Sequence, residues 1–212
     1  MPADAHFFST VRPLFGGRLT QGQVDGMNKI VEYGEKWGYE PGHIAYSLAT
    51  TKKETANWMQ PIREGARRYG PSYTDASAKR AVAAIHAKGI IRTNYALPAG
   101  PYRQSYYGRG LIQITWYDNY LKFARLLKKP LDQNPDLALD WDISLDILFL
   151  GLRDGMFRKG LSFKDFDFTD PASVFEAREA VNGDKNRSYG GPKKIGKEIA
   201  DNHFVFLKAL EG

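Results

Sequence analysis

Apolar side chains recur every three or four positions along most of this chain, the spacing that places them on one face of an α-helix. Capping residues such as Thr20 and Thr74 begin several of these segments, and glycines such as Gly38 and Gly89 end them. The pattern predicts helices over residues 20–38, 41–59, 74–89, 115–129, 134–140, 141–159, 170–183 and 193–210.

Strand signals are weak. Residues 60–74 hold two prolines and two glycines, and we predict a small β-hairpin or an irregular loop there. The chain has 212 residues, enough for one large domain or for two lobes around a cleft, and it has no internal repeat or long linker. The predicted fold class is therefore mainly α, with residues 1–212 forming a single domain of two helical lobes.

Composition excludes several kinds of chemistry. The chain has no cysteine, which excludes disulfides, thiol nucleophiles and cysteine-bound metals. The four histidines lack the paired spacing of a helical zinc motif, so we expect no metal site. No apolar run approaches the ~20 residues of a membrane span, so stable membrane insertion is not expected. The N-terminus lacks a basic start followed by an apolar block, so we expect no signal peptide and a cytosolic start.

Charge is unevenly distributed along the chain. The net charge is +6, yet residues 52–109 hold eleven Lys and Arg against three acids, whereas residues 130–180 hold five against eleven. The basic middle favours a polyanionic partner, either nucleic acid or a bacterial wall rich in phosphate and carboxylate. The alternative is that the charge only keeps the protein soluble.

Glu54 is the first candidate for acid–base chemistry. At about 100° per residue, the helix predicted over 41–59 places Glu54 beside Trp58, at the edge of a buried stripe. That stripe consists of Ile44, Leu48, Thr55 and Met59. A carboxyl group against an aromatic wall is partly desolvated, which raises its pKa and suits a general acid. The alternative is a boundary residue paired with a nearby lysine.

Glu64 is the second candidate. Pro61 breaks the helix between the two glutamates, so the chain can turn back and bring Glu64 across a gap from Glu54. Inverting glycoside hydrolysis needs two carboxyls roughly 6.5–9.5 Å apart with a water between them. Three arginines, Arg63, Arg67 and Arg68, are expected to hold Glu64 ionised, as a base must be. The alternative is a surface ion pair of little energetic value.

Three blocks of sequence carry a family resemblance. They are KKETANWMQPIREG (residues 52–65), YYGRGLIQITWYDNY (106–120) and AREAVNGD (177–184). In this order they resemble the family 19 glycoside hydrolases, which comprise chitinases and related bacteriophage endolysins. The resemblance spans roughly residues 43–210 and is most specific in the Tyr-Gly-Arg-Gly-x-Ile-Gln block. It implies a lysozyme-like, two-lobed helical fold with a small β-hairpin or irregular loop near the active cleft.

The resemblance also implies roles for individual residues. Glu54 matches the general acid, Glu64 matches the base that activates water, and Thr115 matches the residue that helps to hold this water. Further positions are implied to contact the substrate: Asn119, Asn182, Tyr106, Gln113 and Trp116. Arg109 is expected to brace the loop or a carboxylate.

Two departures from the family pattern concern basic residues. Lys53 precedes the acid, where the family often has histidine. A basic residue of the last segment supports the carboxylates in the family, and Arg187, Lys193 and Lys194 all remain candidates for it, because the insert RSYGGPKK (residues 187–194) disturbs the register.

The expected function is that of a phage endolysin, because the chain lacks the cysteines that plant chitinases usually have. It would cut the β-1,4 bonds between N-acetylmuramic acid and N-acetylglucosamine in peptidoglycan and lyse the bacterial host. We expect it to act without a cofactor, since an acid, a base and a positioned water suffice. We further expect a monomer without a separate wall-binding domain, which leaves the host cytoplasm through a holin-type pore.

Three alternatives stay open at this point. The first is a chitinase acting on poly-N-acetylglucosamine, because both substrates share the acetamido sugar. The second is a wall-binding protein that has the fold without the chemistry, although both carboxylates and Thr115 are present. The third is a nucleic-acid binder, favoured only by the basic middle and its tyrosines, since no binding motif is present.

Overall fold

The computed structural model describes residues 3–188 and 191–212, and within them the chain is mainly helical, as predicted. Its eight α-helices are α1 (Ala5–Val11), α2 (Gln21–Lys36), α3 (Pro41–Glu54), α4 (Asp75–Ala87), α5 (Tyr117–Leu127), α6 (Trp141–Arg153), α7 (Pro171–Ala177) and α8 (Ile195–Glu211). Two strands, β1 (Ile62–Arg63) and β2 (Arg109–Gly110), form a two-stranded sheet. Within these ranges no helix has both the length and the apolar character that crossing a membrane requires.

Capping signals located several helix starts correctly. The Thr20 side chain accepts a hydrogen bond from the backbone N–H of Gln23, and the Gln23 side chain accepts one from the N–H of Thr20. This reciprocal pair begins α2 at the predicted position. Thr74 caps α4 in a similar way, by accepting from the N–H of Ser77. The short helix α1, capped by Asp4, was not predicted.

Other predicted helices are shorter or tighter than their patterns indicated. α6 ends at Arg153, and the segment predicted over 134–140 is a 3-10 turn (Pro135–Leu139). The segment over 170–183 divides into α7 and a 3-10 turn (Arg178–Ala180). Further 3-10 turns lie at Arg12–Phe15, Gly70–Ser72 and Phe163–Asp165. Periodicity therefore indicated helical segments more reliably than their ends.

The end of α3 differs from its prediction in a way that matters for Glu54. The helix stops at Glu54 because the backbone turns left-handed at Ala56, Asn57 and Met59, with φ values of 50°, 73° and 55°. Thr55 Oγ1 accepts a hydrogen bond from the N–H of Met59 at 3.0 Å, a local bond that competes with helix continuation. The interpretation that one helix carries Glu54 beside Trp58 is therefore wrong.

The chain divides into two compact units. The terminal unit comprises residues 1–53 and 148–212, and the central unit comprises residues 54–147. In the terminal unit, Phe7 of α1 stacks on Phe206 of α8, and Phe149 packs between Tyr33 and Tyr39 at centroid distances of 4.9 and 4.8 Å. These aromatic contacts join helices from both ends of the chain.

The core of the central unit joins α4 to the loop that precedes β2. Ala78 and Val82 of α4 pack with Ala96 and Tyr107, and the half-buried Tyr73, Ile91 and Tyr95 lie against them. Loop residues that precede the sheet are thereby fixed by a packed helix.

The terminal unit buries a histidine, His203, with no exposed surface. Its Nε2 lies 2.9 Å from the carbonyl oxygen of Phe168, so Nε2 carries the proton and donates it. Its Nδ1 has no hydrogen-bond partner within the described residues. Burial lowers the pKa of His203 to about 4, because protonation would place a charged, unpaired N–H in the core.

We predict that the free energy of unfolding falls as pH falls from about 6.5 to about 4. The unfolded chain binds a proton at His203 in this window while the folded chain does not, so the loss is about 3 kcal/mol for this residue. Urea unfolding at pH 7 and pH 4 measures it, with His203→Phe expected to lose less stability over the same window.

The matched control for this experiment is His6→Gln, which removes an exposed histidine of the same unit. It should keep the pH dependence of the parent chain. If His203→Phe and the parent lose equal stability between pH 7 and pH 4, burial of this imidazole is not what makes the fold acid-sensitive.

Candidate active site

The short sheet places Glu64 beside the Tyr-Gly-Arg-Gly segment. β1 and β2 are antiparallel, with Ile62 opposite Gly110 and Arg63 opposite Arg109. One position on, Glu64 donates its N–H to the carbonyl oxygen of Gly108 at 2.7 Å. A small β-hairpin or an irregular loop was expected within residues 60–74. The partner of β1 is instead β2, in the second sequence block, so the two strands pair across a long stretch of chain.

Both carboxylate oxygens of Glu64 accept hydrogen bonds. Oε2 accepts from the N–H of Gly108 at 2.8 Å, and Oε1 accepts from the hydroxyl of Tyr95 at 2.8 Å. Gly108 is needed here, because a Cβ at that position would lie 3.1 Å from Glu64 Oε2 and 2.9 Å from Gln113 Oε1. The backbone of the Tyr-Gly-Arg-Gly segment thus approaches the carboxylate more closely than a larger residue would allow.

Burial raises the pKa of Glu64 above its ordinary value. The hydrogen bonds from Gly108 and Tyr95 lower this pKa, and the negative charge of Glu54 raises it. Glu54 is the last residue of α3 and is half-buried. The charge of Glu54 therefore acts on Glu64, while a catalytic pairing of the two glutamates stays a prediction.

The arginines predicted to hold Glu64 ionised are engaged elsewhere. Arg63 donates to Asp136 at 2.6 Å and to the carbonyl oxygen of Tyr73 at 3.2 Å. Arg67 and Arg68 are exposed. Arg109 is the arginine whose charge lowers the pKa of Glu64, so the same effect from Arg63, Arg67 and Arg68 stays a prediction.

Arg109 is the buried cation of the central unit, with 3% of its side chain exposed. Its Nε donates to Asp136 at 2.7 Å, and its Nη1 donates to the carbonyl oxygens of Ser105 and Tyr107. The guanidinium lies over the Tyr107 ring, 3.6 Å from the centroid. The arginines of both strands therefore bind Asp136, an arrangement that we call the Asp136 bridge, and Arg109 braces the loop as predicted.

The loop from β2 to α5 is held in an uncommon backbone conformation. Gln113 and Trp116 have φ values of 55° and 75°, which non-glycine residues rarely adopt. The Gln113 side chain stabilises this path by donating to the carbonyl oxygens of Ile62 and Gly110, both at 2.9 Å. Such positions cost on the order of 1–3 kcal/mol and concentrate at binding sites.

The hydrogen bonds of this loop also fix two predicted site residues. Thr115 donates its hydroxyl to the carbonyl oxygen of Gln113 at 2.9 Å, and Asn119 donates its side-chain amide to the carbonyl oxygen of Thr115 at 2.8 Å. Trp116 is 47% exposed, and its ring meets that of Tyr95 edge-on at 5.2 Å. Tyr95 thus links the loop to Glu64.

The tyrosines of the second block are mostly framework. Tyr106, Tyr107 and Tyr120 are buried. Tyr106 is 1% exposed and donates its hydroxyl to the carbonyl oxygen of Asp132 at 2.6 Å. Its side chain therefore has no surface for a substrate, which corrects the contact expected for it.

The remaining predicted residues lie in the terminal unit. Asn182 is exposed and donates to Asp184 at 3.3 Å. Of the three basic candidates, Lys193 pairs with Asp201 and Lys194 donates to Asn186, while Arg187 is exposed. Tyr189 and Gly190 of the same insert lie outside the described residues. A role for any of these residues at the carboxylates stays a prediction.

Three residues of the site were missed by sequence reasoning: Tyr95, Gly108 and Asp136. Gly108 lies inside the second sequence block, so the sequence could have predicted that its backbone closely approaches a ligand or a side chain. Tyr95 and Asp136 lie in irregular or short segments, where no periodicity or spacing connects them to Glu64.

We predict that Asp136→Asn lowers the free energy of unfolding by about 2 kcal/mol, because it removes the nearer of the two carboxylates that pair with the buried Arg109 and leaves the more distant Asp75, at 3.6 Å. The loss stays below that of a fully buried pair, since 41% of the Asp136 side chain is exposed. Urea unfolding monitored by circular dichroism measures it.

A suitable control is Asp154→Asn, which breaks the exposed pair between Arg153 and Asp154. It should change stability by less than about 0.5 kcal/mol. Equal losses in the two variants would show that the Asp136 bridge is no more than a surface ion pair.

Comparisons with known proteins agree with this architecture. No family model matches the chain. A curated endochitinase of Arabidopsis thaliana is 37% identical over 83 aligned residues, which cover 32% of this chain and 30% of the endochitinase. The match therefore spans less than a third of that relative's length.

Similarity to solved structures extends over most of the chain. A bacterial family 19 chitinase matches with a TM-score of 0.55 and 22% identity, over 95% of this chain and 93% of that one. Chitinase C from Streptomyces griseus HUT6037 matches with a TM-score of 0.54 and 19% identity, over 98% and 78% of the two chains. The chain therefore has the fold of the family 19 chitinases, which supports the resemblance carried by its three sequence blocks.

Proposed function

We propose that this chain is a glycoside hydrolase that cuts β-1,4 bonds of an amino-sugar polymer by acid–base catalysis. The observation that carries the proposal is Glu64, a half-buried carboxylate that is held by two hydrogen bonds and coupled electrostatically to Glu54. Paired carboxyl groups in different environments are what glycoside hydrolysis requires. The family 19 chitinase fold of the chain supports the same reaction class.

The proposed roles are those that the family resemblance implies for the two glutamates. Glu54 protonates the glycosidic oxygen, and Glu64 takes a proton from the water that attacks the anomeric carbon. Once ionised, a carboxylate of raised pKa is a stronger base than an ordinary glutamate. Thr115 helps to hold the water, and Asn119, Gln113 and the exposed Trp116 line the substrate. Inversion at the anomeric carbon is part of this proposal.

The proposed substrate is peptidoglycan, cut between N-acetylmuramic acid and N-acetylglucosamine by an endolysin that lyses a bacterial host. The net charge of +8 over residues 52–109 supports it, because bacterial envelopes are anionic. Residues 1–212 would act as a single catalytic domain and as a monomer. Action from the host cytoplasm through a holin-type pore remains a prediction, which fractionation of producing cells would test.

A second candidate is chitinase activity. It is favoured by the similar proteins, which are a plant endochitinase and bacterial chitinases. Comparing turnover of purified bacterial walls with turnover of colloidal chitin separates the two. Binding to walls without any hydrolysis would instead favour the non-catalytic class.

We predict that Glu54→Ala and Glu64→Ala each lower the rate of wall hydrolysis by at least about 100-fold, since each removes a proton-transfer group. The two variants should differ on aryl glycosides, whose leaving group needs no proton. Glu54→Ala should recover much of the parent rate on these substrates, whereas Glu64→Ala should not. Release of reducing ends and of nitrophenol measures the two reactions.

The control variant is Glu32→Gln, which changes an exposed acid of α2. It should hydrolyse both substrates at the parent rate. Recovery on aryl glycosides by Glu64→Ala and not by Glu54→Ala would exchange the two roles. Parent-like wall hydrolysis by either variant would remove that glutamate from the mechanism.

We propose Tyr95 as a positioning residue for Glu64, because its hydroxyl donates to Oε1 and so lowers the pKa of this carboxyl. Tyr95→Phe should raise that pKa. A base works only when ionised, so the acidic limb of the pH profile of kcat/KM should move to higher pH while the alkaline limb stays in place. Hydrolysis rates from pH 4 to pH 9 measure this shift.

Tyr102→Phe serves as the comparison, because Tyr102 is an exposed tyrosine of the same segment. Its pH profile should overlay that of the parent. Movement of the alkaline limb in Tyr95→Phe would mean that Glu64 acts in its protonated form, as an acid. An unmoved profile would reduce Tyr95 to a packing residue.

A further inference from the structure

The central unit contains a cavity of about 610 Å³ that the two glutamates do not line. It lies between the segment that follows Glu64 and the first turns of α4. Its lining includes two aromatic rings, one arginine and three small hydroxyl residues, namely Tyr69, Tyr73, Arg80, Ser72, Thr74 and Ser77. We call it the Tyr69–Arg80 pocket.

Two stacked tyrosine rings form the aromatic wall of this pocket. The rings of Tyr69 and Tyr73 lie nearly parallel, 9° apart, with centroids separated by 5.7 Å. Gly70, between them in sequence, leaves room for the Trp58 ring, which a Cβ at that position would overlap. The carbonyl oxygen of Tyr73 accepts from Arg63 of β1. These contacts hold the backbone at Gly70 and Tyr73, while Tyr69 remains 54% exposed.

The pocket also carries uncompensated positive charge. Arg80 is exposed, and its Nη2 donates to the hydroxyl of Ser77 at 3.1 Å. Within residues 3–188 and 191–212 it has no carboxylate partner. Arg68 lies over the Tyr69 ring, 5.5 Å from the centroid, and adds a second cation at the rim. A ring-bearing anion matches these surroundings better than a neutral molecule does.

The pocket adjoins the proposed base through one residue. Gly65 follows Glu64 directly, and a Cβ on Gly65 would lie 3.2 Å from the Tyr73 ring and 2.7 Å from Ala81. Tyr73 and Ala81 both line the pocket. We expect a sugar bound in this pocket to belong to the glycan strand that is being cut, because the pocket-lining residues follow Glu64 closely in the protein sequence.

We propose that the Tyr69–Arg80 pocket is a subsite for a carboxylate-bearing amino sugar, with the pyranose against Tyr69 and the carboxylate on Arg80. This inference rests on the proposed function and deepens it, because it gives the site a preference for an acidic glycan over a neutral one. In peptidoglycan the sugar with that chemistry is N-acetylmuramic acid in strands without stem peptides, because an attached stem peptide converts the lactyl carboxylate into an amide. Chitin has no acidic group to occupy Arg80.

The first test is binding to the full chain, which does not depend on hydrolysis. N-acetylmuramic acid and N-acetylglucosamine are titrated separately, and amide chemical shifts are followed by NMR. We expect N-acetylmuramic acid to shift residues 69–80 and to bind about tenfold more weakly to Arg80→Ala than to the parent. Tyr69→Ala should weaken binding of both sugars, and Arg80→Lys should restore part of the affinity.

The second test is kinetic. Arg80→Ala should raise KM for peptidoglycan strands whose stem peptides have been removed by an amidase about tenfold with kcat unchanged, because it removes binding energy shared by the ground and transition states. KM for chitin oligosaccharides should stay at the parent value. Arg92→Ala, which removes another exposed arginine of the central unit, is the matched control for net charge and should leave both KM values unchanged.

The outcomes separate this inference from the proposed function. Wall hydrolysis by the parent with unchanged binding and KM in Arg80→Ala would overturn the subsite and leave the function standing. Binding of N-acetylmuramic acid at residues 69–80 without any hydrolysis would support the subsite and overturn the function. Equal losses in Arg80→Ala and Arg92→Ala, or binding of free lactate as tight as that of the sugar, would overturn the subsite as a specific sugar site.

Discussion

The Asp136 bridge is the interaction on which the candidate site depends. Arg63 and Arg109 lie opposite each other on two strands of two residues each, and both donate to the same carboxylate. A sheet this short has few ladder hydrogen bonds, so charge pairing replaces them. Glu64 follows Arg63 directly, and Gly108 precedes Arg109. The bridge therefore sets the distance between the carboxylate of Glu64 and the N–H of Gly108.

The same arrangement has an energetic consequence for Glu64. Its carboxylate is half-buried. The hydrogen bonds from Gly108 and Tyr95 favour the ionised form, whereas the charge of Glu54 opposes it. The left-handed backbone at Gln113 and Trp116 adds strain in the loop that faces it. Both features are unfavourable for folding by themselves, and the bridge and the packed core of α4 offset them. Within the central unit, the Asp136 bridge and the core of α4 thus stabilise the fold, while Glu64 is the residue proposed for catalysis.

The sequence predicted the fold class correctly, the roles of the two glutamates stay predictions, and physical reasons explain which features of the fold and the site the sequence missed. A helix cap such as Thr20 bonds to a residue only three positions away, so it could be predicted directly from the sequence. The early end of α3 depends on a hydrogen bond between Thr55 and Met59, which periodicity does not encode. The resemblance implied a substrate contact for Tyr106, yet its side chain is buried, because a sequence block does not show which of its side chains pack inside. Tyr95 contacts Glu64 across 31 positions, a separation that only the folded chain reveals.

The central claim is that the Glu54 and Glu64 pair hydrolyses peptidoglycan at the β-1,4 bond after N-acetylmuramic acid. Mass spectrometry of the fragments released from purified peptidoglycan tests this claim most directly, because it reads the new chain ends. We expect the released fragments to have reducing ends at N-acetylmuramic acid. Reducing ends at N-acetylglucosamine, or 1,6-anhydro ends formed without water, would contradict it.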